Sequence, residues 1–184
     1  MIKEIHTPVL LLTFNRISNA QRVFQEIRAA KVPRLYISSD GPRVLNEDDD
    51  RKIQELRKYL LENIDWKCDV FTLFQETNLG CKNAVSQAIN WFFEAEEMGI
   101  VLEDDCLPSQ SFFWFCQELL ARYVYDERIF LINGYNHQQI WKPEQNDYFF
   151  SLLGGIWGWA SWRRAWKHYD LEVSDIDDFI EGGG

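Results

Sequence analysis

The chain has no CxxC pair and no zinc-ligand spacing among Cys68, Cys81, Cys106 and Cys116, and it has no internal repeat or long low-complexity segment. These absences argue against a disulfide framework or a structural zinc, and four buried or partly buried thiols in a reducing compartment are expected instead. Positive charge is scarce as well: 19 Lys plus Arg stand against 29 Asp plus Glu, a formal charge of -10 at pH 7. A general affinity for nucleic acid or an anionic membrane surface is thereby excluded, and a phosphorylated ligand needs a local basic site or a metal ion. Long apolar runs are missing too. The opening stretch holds about seven apolar residues before Asn15 and Arg16, short of a signal-peptide core and of the roughly 20 residues that span a membrane. The expectation is a cytoplasmic chain with no membrane span and no nucleic-acid partner.

What remains is enough for one domain: 184 residues, of which 46% are hydrophobic and 15% aromatic. Pro8 to Phe14 is a continuous apolar run suited to a strand buried on both faces, after which Ser18 can cap a helix presenting Val23, Phe24 and Ile27. Leu35-Tyr36-Ile37 ends at the turn residues Asp40-Gly41-Pro42 and leads to a helix carrying Ile53, Leu56, Leu60 and Ile64. A third strand, Val70 to Phe74, is followed by the break Asn78-Leu79-Gly80 and a helix with Ala84, Val85, Ala88, Ile89 and Phe92. Ile100-Val101-Leu102 is a short buried strand, and Pro108 with Ser109 or Ser111 opens a helix containing Phe112, Phe115, Leu119 and Leu120. Four strand–helix units in succession predict an α/β fold with a mostly parallel, Rossmann-like sheet flanked by helices. A further strand is expected over Ile129 to Ile132. Beyond it regularity declines into an aromatic region, holding five of the eight tryptophans between Trp141 and Trp166, that reads as a different layer.

The fourth strand runs directly into Glu103-Asp104-Asp105. Ligands of open α/β sheets bind beyond the carboxyl ends of the strands, where this cluster falls. Three adjacent carboxylates repel one another, so they call for a cation, a basic partner or full solvation; their hard oxygens suit Mg²⁺ or Mn²⁺, which leave positions open for substrate phosphates. A solvated acidic loop is the alternative reading of these three residues alone. Asp40, Arg16 and Lys82 should face the same crevice, Asp40 to accept a base N–H and Arg16 or Lys82 to meet a diphosphate. Trp157, Trp159 and Trp162 read equally as a stacking floor for a sugar ring or as core. His137 and His168 lack partners at a recognisable spacing.

The segment Ile100 to Ser109 with Phe112-Phe113, then Gly155-Ile156-Trp157-Gly158-Trp159-Ala160, then Asp177-Asp178-Phe179, resembles in order the GT-A glycosyltransferases of the N-acetylglucosaminyltransferase I type, whose acidic motif reads Glu-Asp-Asp. The resemblance implies a single GT-A domain over 1–184. Its nucleotide-sugar-binding half is 1–106, and its acceptor-side half, 107–184, is expected to be truncated at the C-terminus. It implies Asp105 as the metal ligand, with Mn²⁺ or Mg²⁺. Glu103 is placed at the ribose, Asp104 at the donor sugar, and Thr13, Asn15, Arg16, Asp40 and Lys82 around the nucleotide, with Asp40 reading uracil. Asp178 is implied as the general base, with Asp175 and Asp177 close by, for an inverting transfer from a UDP-sugar to a glycan or other hydroxyl acceptor. A non-catalytic sugar-nucleotide or glycan-binding module is the alternative. A different Mg²⁺-dependent α/β protein lacks support, since the sequence holds no GxxxxGK[ST] loop.

Overall fold

A computed structural model describes residues 4–136, 147–174 and 180. Four parallel strands, β1 (Val9–Thr13), β2 (Arg34–Ser39), β3 (Asp69–Phe74) and β4 (Met98–Glu103), alternate with the helices α1 (Ile17–Ala30), α2 (Glu47–Glu62) and α3 (Gly80–Ala95), and α4 (Gln110–Arg122) follows β4. The sheet is completed by β5 (Ile132–Asn133) and β6 (Trp159–Trp162), which precedes the single turn α5 (Arg163–Trp166). Spatial order is β3-β2-β1-β4-β6-β5, with β6 antiparallel to both β4 and β5.

The continuous apolar run at β1 reflects cover on both faces. Val9 and Leu11 pack with the buried stripes of α1 (Val23, Phe24, Ile27), α2 (Leu56, Leu60) and α4 (Phe113, Cys116, Leu120). Leu10 and Leu12 point the other way, into α3 through Ala88, Ile89, Phe92 and Phe93. The period-two alternation of a strand thus feeds two cores from one segment. Burial of side chains such as Phe24 and Phe92, both 0% exposed, contributes about 2–3 kcal/mol each.

Several expectations are corrected. Arg16, not Ser18, occupies the cap position of α1. The strand expected over Ile129 to Ile132 shrinks to Ile132–Asn133, because it pairs only along the short β6. The Gly-Trp region is no separate layer: β6 aligns Val101 with Trp159 and Ile100 with Ala160 inside the same sheet. Trp159 and Trp162 are accordingly core residues at 6% and 1% exposure, whereas Trp157 stays exposed. The indole of Trp162 donates to Leu120 O, and Arg164 lies over its ring while donating to the carbonyls of Tyr123, Val124 and Ile129. All four cysteines are free, and Cys81 is exposed rather than buried.

Candidate functional site

Strand order reverses where β2 and β4 flank β1, so a crevice opens beyond the carboxyl ends of β1 and β4. Leu12 stands opposite Glu103 in the register, which brings Phe14 to Arg16 against the acidic turn. That turn is closed by Cys106 N donating to Glu103 O, and its three carboxylates point to different surroundings. Asp104 is turned inward at 2% exposure and accepts the Phe14 N–H at 3.3 Å through Oδ2. Its Oδ1 lies 2.6 Å from Arg16 Nη2, so the guanidinium is the partner of this buried oxygen. Asp105 turns outward and accepts from Arg16 Nη1 at 2.7 Å. Burial raises the pKa of Glu103, and the neighbouring Asp105 and Asp104 add to the shift. Burial likewise raises that of Asp104, opposed by Arg16 and the Phe14 N–H. Burial works against the charge on Arg16, but Asp104 and Asp105 together raise its pKa above the ordinary value.

Two cavities adjoin this turn. One, of about 310 Å³, is lined by Thr13, Phe14, Arg16, Asp40, Glu103 and Asp104 among others. The second, of about 470 Å³, lies between Asp105, the start of α4 and the segments around Gly134 and Trp157. Tyr135 and Trp157 meet edge to face there, with centroids 5.7 Å apart. The acidic turn therefore presents Glu103 and Asp104 to one chamber and Asp105 to the other.

The other residues expected at the site are placed unequally. Thr13 lines the first cavity, but its hydroxyl donates to Ser38 O. Asp40 lines it as well, with a carboxylate that already accepts from the Gly41 and Leu79 N–H groups and from Asn78 Nδ2. Its direct effect is to tie the end of β2 to the loop after β3. Arg57, 9% exposed, supports the same junction through Ser39 Oγ and the carbonyls of Ser39, Asp40 and Gln75. Asn15 does not line either cavity; its amide donates to Asp49 Oδ1 at 2.7 Å. Lys82 pairs with Glu172 at 2.9 Å and is likewise absent from both linings. Asp178 lies outside the described residues, as do Asp175, Asp177 and His137.

Sequence reasoning missed Arg43 and Asp49. Asp49 is fully buried at the start of α2 and is held down to about 2 by the hydrogen bonds from Arg43, against burial, with Asn15 assisting. Arg43 grips it through Nε at 2.6 Å and Nη2 at 3.0 Å, and lies over the Phe14 ring at 5.2 Å from its centroid. Arg43 thereby lines the first cavity with its charge balanced by Asp49. Arg43 follows the strand-end turn Asp40-Gly41-Pro42 by one residue, so the rule that selected Asp40 could have selected it.

Gly41 permits the close approach of these two loops. A Cβ there would stand 2.4 Å from the backbone carbonyl carbon of Thr77. Gly41→Ala is expected to push the Thr77–Asn78 segment away and to lower the melting temperature by a few degrees, the effect of about 1–3 kcal/mol of overpacking. A thermal melt followed by circular dichroism checks it.

Glu103, Asp104 and Asp105 are hard oxygen donors of the kind divalent cations take, with Arg16 paired to the last two. Among the described residues no three His, Cys, Asp or Glu side chains converge to hold an ion by themselves.

No protein-family model and no curated protein matches the chain. Among solved structures, a mannosyltransferase from Pyrobaculum calidifontis in complex with GDP-Man and Mn²⁺ matches 94% of the chain with a TM-score of 0.57 at 9% identity. A 4-diphosphocytidyl-2C-methyl-D-erythritol synthase from Anaerococcus prevotii matches 97% with a TM-score of 0.50, also at 9% identity. The fold is that of the nucleotide-diphospho-sugar transferases. This chain spans 49% of the mannosyltransferase and 85% of the synthase, and at such identity the likeness carries the GT-A fold alone. Among the described residues no helix is long and apolar enough to cross a membrane.

Proposed function

We propose that the chain is the donor-binding part of a metal-dependent glycosyltransferase resembling the N-acetylglucosaminyltransferase I type, which moves a sugar from a nucleoside-diphosphate sugar, a UDP-sugar by that resemblance, to an acceptor hydroxyl. The observation that carries this reading is the acidic turn at the strand-order reversal, set between two cavities, with Arg16 laid across two of its carboxylates.

In this proposal the nucleoside occupies the cavity bounded by Phe14, Asp40 and Arg43. The diphosphate meets Arg16, and the sugar passes the acidic turn toward the chamber of Tyr135 and Trp157, where the acceptor enters. Asp105, with Glu103 and Asp104, would hold Mn²⁺ or Mg²⁺, which when bound would supply electrophilic stabilisation of the leaving diphosphate. Arg16 is better placed than Lys82 to share that charge, since it lines the first cavity and Lys82 does not. Trp157 offers an exposed aromatic face to a pyranose. Asp178 remains the proposed base for an inverting attack, and Asp178→Asn should abolish transfer while leaving donor binding intact.

The test is nucleotide release from UDP-GlcNAc, UDP-glucose, UDP-galactose and GDP-mannose with Mn²⁺ and with EDTA. Metal-dependent release from a UDP-sugar supports the proposal. Binding of the donor with no release or transfer to any acceptor tested would favour the non-catalytic module.

A further inference from the structure

We infer that Arg16 is an internal counter-ion that keeps a lone divalent cation off the acidic turn and yields the turn only when a diphosphate takes over its guanidinium. The inference rests on the donor-site reading above and adds an order to it: metal and nucleotide enter together.

Arg16 caps α1 from a non-helical backbone conformation and sends its side chain across the crevice, where its fork spans two carboxylates of the turn at 2.6 and 2.7 Å. The same two carboxylates are cation donors, so an arriving metal must displace the guanidinium or sit beside a like charge. Displacement without a new partner forfeits a charge-assisted hydrogen bond to Asp105 and the ion pair with buried Asp104. A diphosphate in the Phe14–Asp40–Arg43 cavity removes that penalty, because Arg16 lines the cavity and binds phosphate oxygens as readily as carboxylate. The protein offers too few converging ligands to compensate a lone ion, since no group of three metal-binding side chains forms among the described residues. Asp104 Oδ1 is buried with Arg16 Nη2 2.6 Å away, so the guanidinium already holds the position that a cation on this oxygen would take.

A purely phosphate-binding arginine would affect nucleotide affinity only, and a purely structural one would weaken everything. A counter-ion moves the two affinities in opposite directions. Mn²⁺ alone, followed by the loss of its free-ion electron paramagnetic resonance signal, is expected to bind R16Q about tenfold more tightly than wild type, the effect of removing one charge-assisted interaction. UDP in saturating Mn²⁺ is expected to bind R16Q about tenfold more weakly by calorimetry. R16K, which keeps the charge, is expected to stay near wild type for Mn²⁺ alone. Arg16 is the counter-ion of buried Asp104, so R16Q is expected to melt several degrees below wild type while keeping the wild-type circular-dichroism spectrum at the assay temperature, and R16K to melt near wild type. The inference is overturned if R16Q, shown to be folded, binds Mn²⁺ alone no more tightly than wild type. Should wild type bind neither UDP nor GDP under any metal condition, the donor-site reading fails, while the Mn²⁺ titration of R16Q still decides the counter-ion role.

Discussion

Arg57→Met should lower stability by about 3 kcal/mol and the melting temperature by roughly 10 °C, read by urea and thermal denaturation. The methionine can fill the space against Phe74, over whose ring the guanidinium lies at 4.7 Å. It cannot replace the donors. Arg57 Nη2 serves the carbonyls of Asp40 and Gln75, at the ends of β2 and β3, at 3.2 and 2.8 Å. Removing it leaves buried backbone oxygens without this partner, each at a desolvation cost of about 1–3 kcal/mol. Burial depresses the pKa of Arg57, opposed by Asp50 and Asp40, so the native state bears a cost to keep this cation where the carbonyls need it. The loss should extend to ligand binding, because the same junction fixes Asp40 and the Asn78 loop against the first cavity.

Asp105→Ala should have the opposite profile, with nucleotide affinity in Mn²⁺ reduced about 100-fold and stability little changed. Loss of even a supporting ligand lowers metal affinity by about 10–100-fold, and Asp105 is proposed as a direct one. Its side chain is 42% exposed, and its pair with Arg16 is of the surface kind that contributes about 0–1 kcal/mol. Calorimetric titration of UDP paired with a thermal melt separates the two effects. Asp104 would be a poorer probe, because its carboxylate is buried and accepts the Phe14 N–H, so its removal alters the crevice as well as the charge.

The parallel half of the sheet was legible because its strands announce themselves. β1 and β4 are covered on both faces, so they appear in sequence as Val9 to Thr13 and Ile100 to Leu102, unbroken apolar runs between turn residues. The antiparallel part was not. Trp159 and Trp162 are large aromatics that suit a core or a sugar platform equally, and pairing of Val101 with Trp159 joins positions far apart in the chain. Of the site, the position of the acidic turn followed from its place at the end of the fourth strand. The division of labour within it did not, because Asp104 and Asp105 are chemically identical and differ only in which way the turn points them. Asn15 and Asp49 show the same limit: a polar residue at a strand end can line the cavity or brace a residue that does, and Asn15 does the latter through Asp49 to Arg43.

The most direct measurement is calorimetric titration of UDP, with GDP as comparison, into the wild-type protein with and without Mn²⁺. The account predicts binding of UDP that depends on the metal and exceeds that of GDP. Absence of binding by either nucleotide, with Mn²⁺ present and the protein folded, would contradict it.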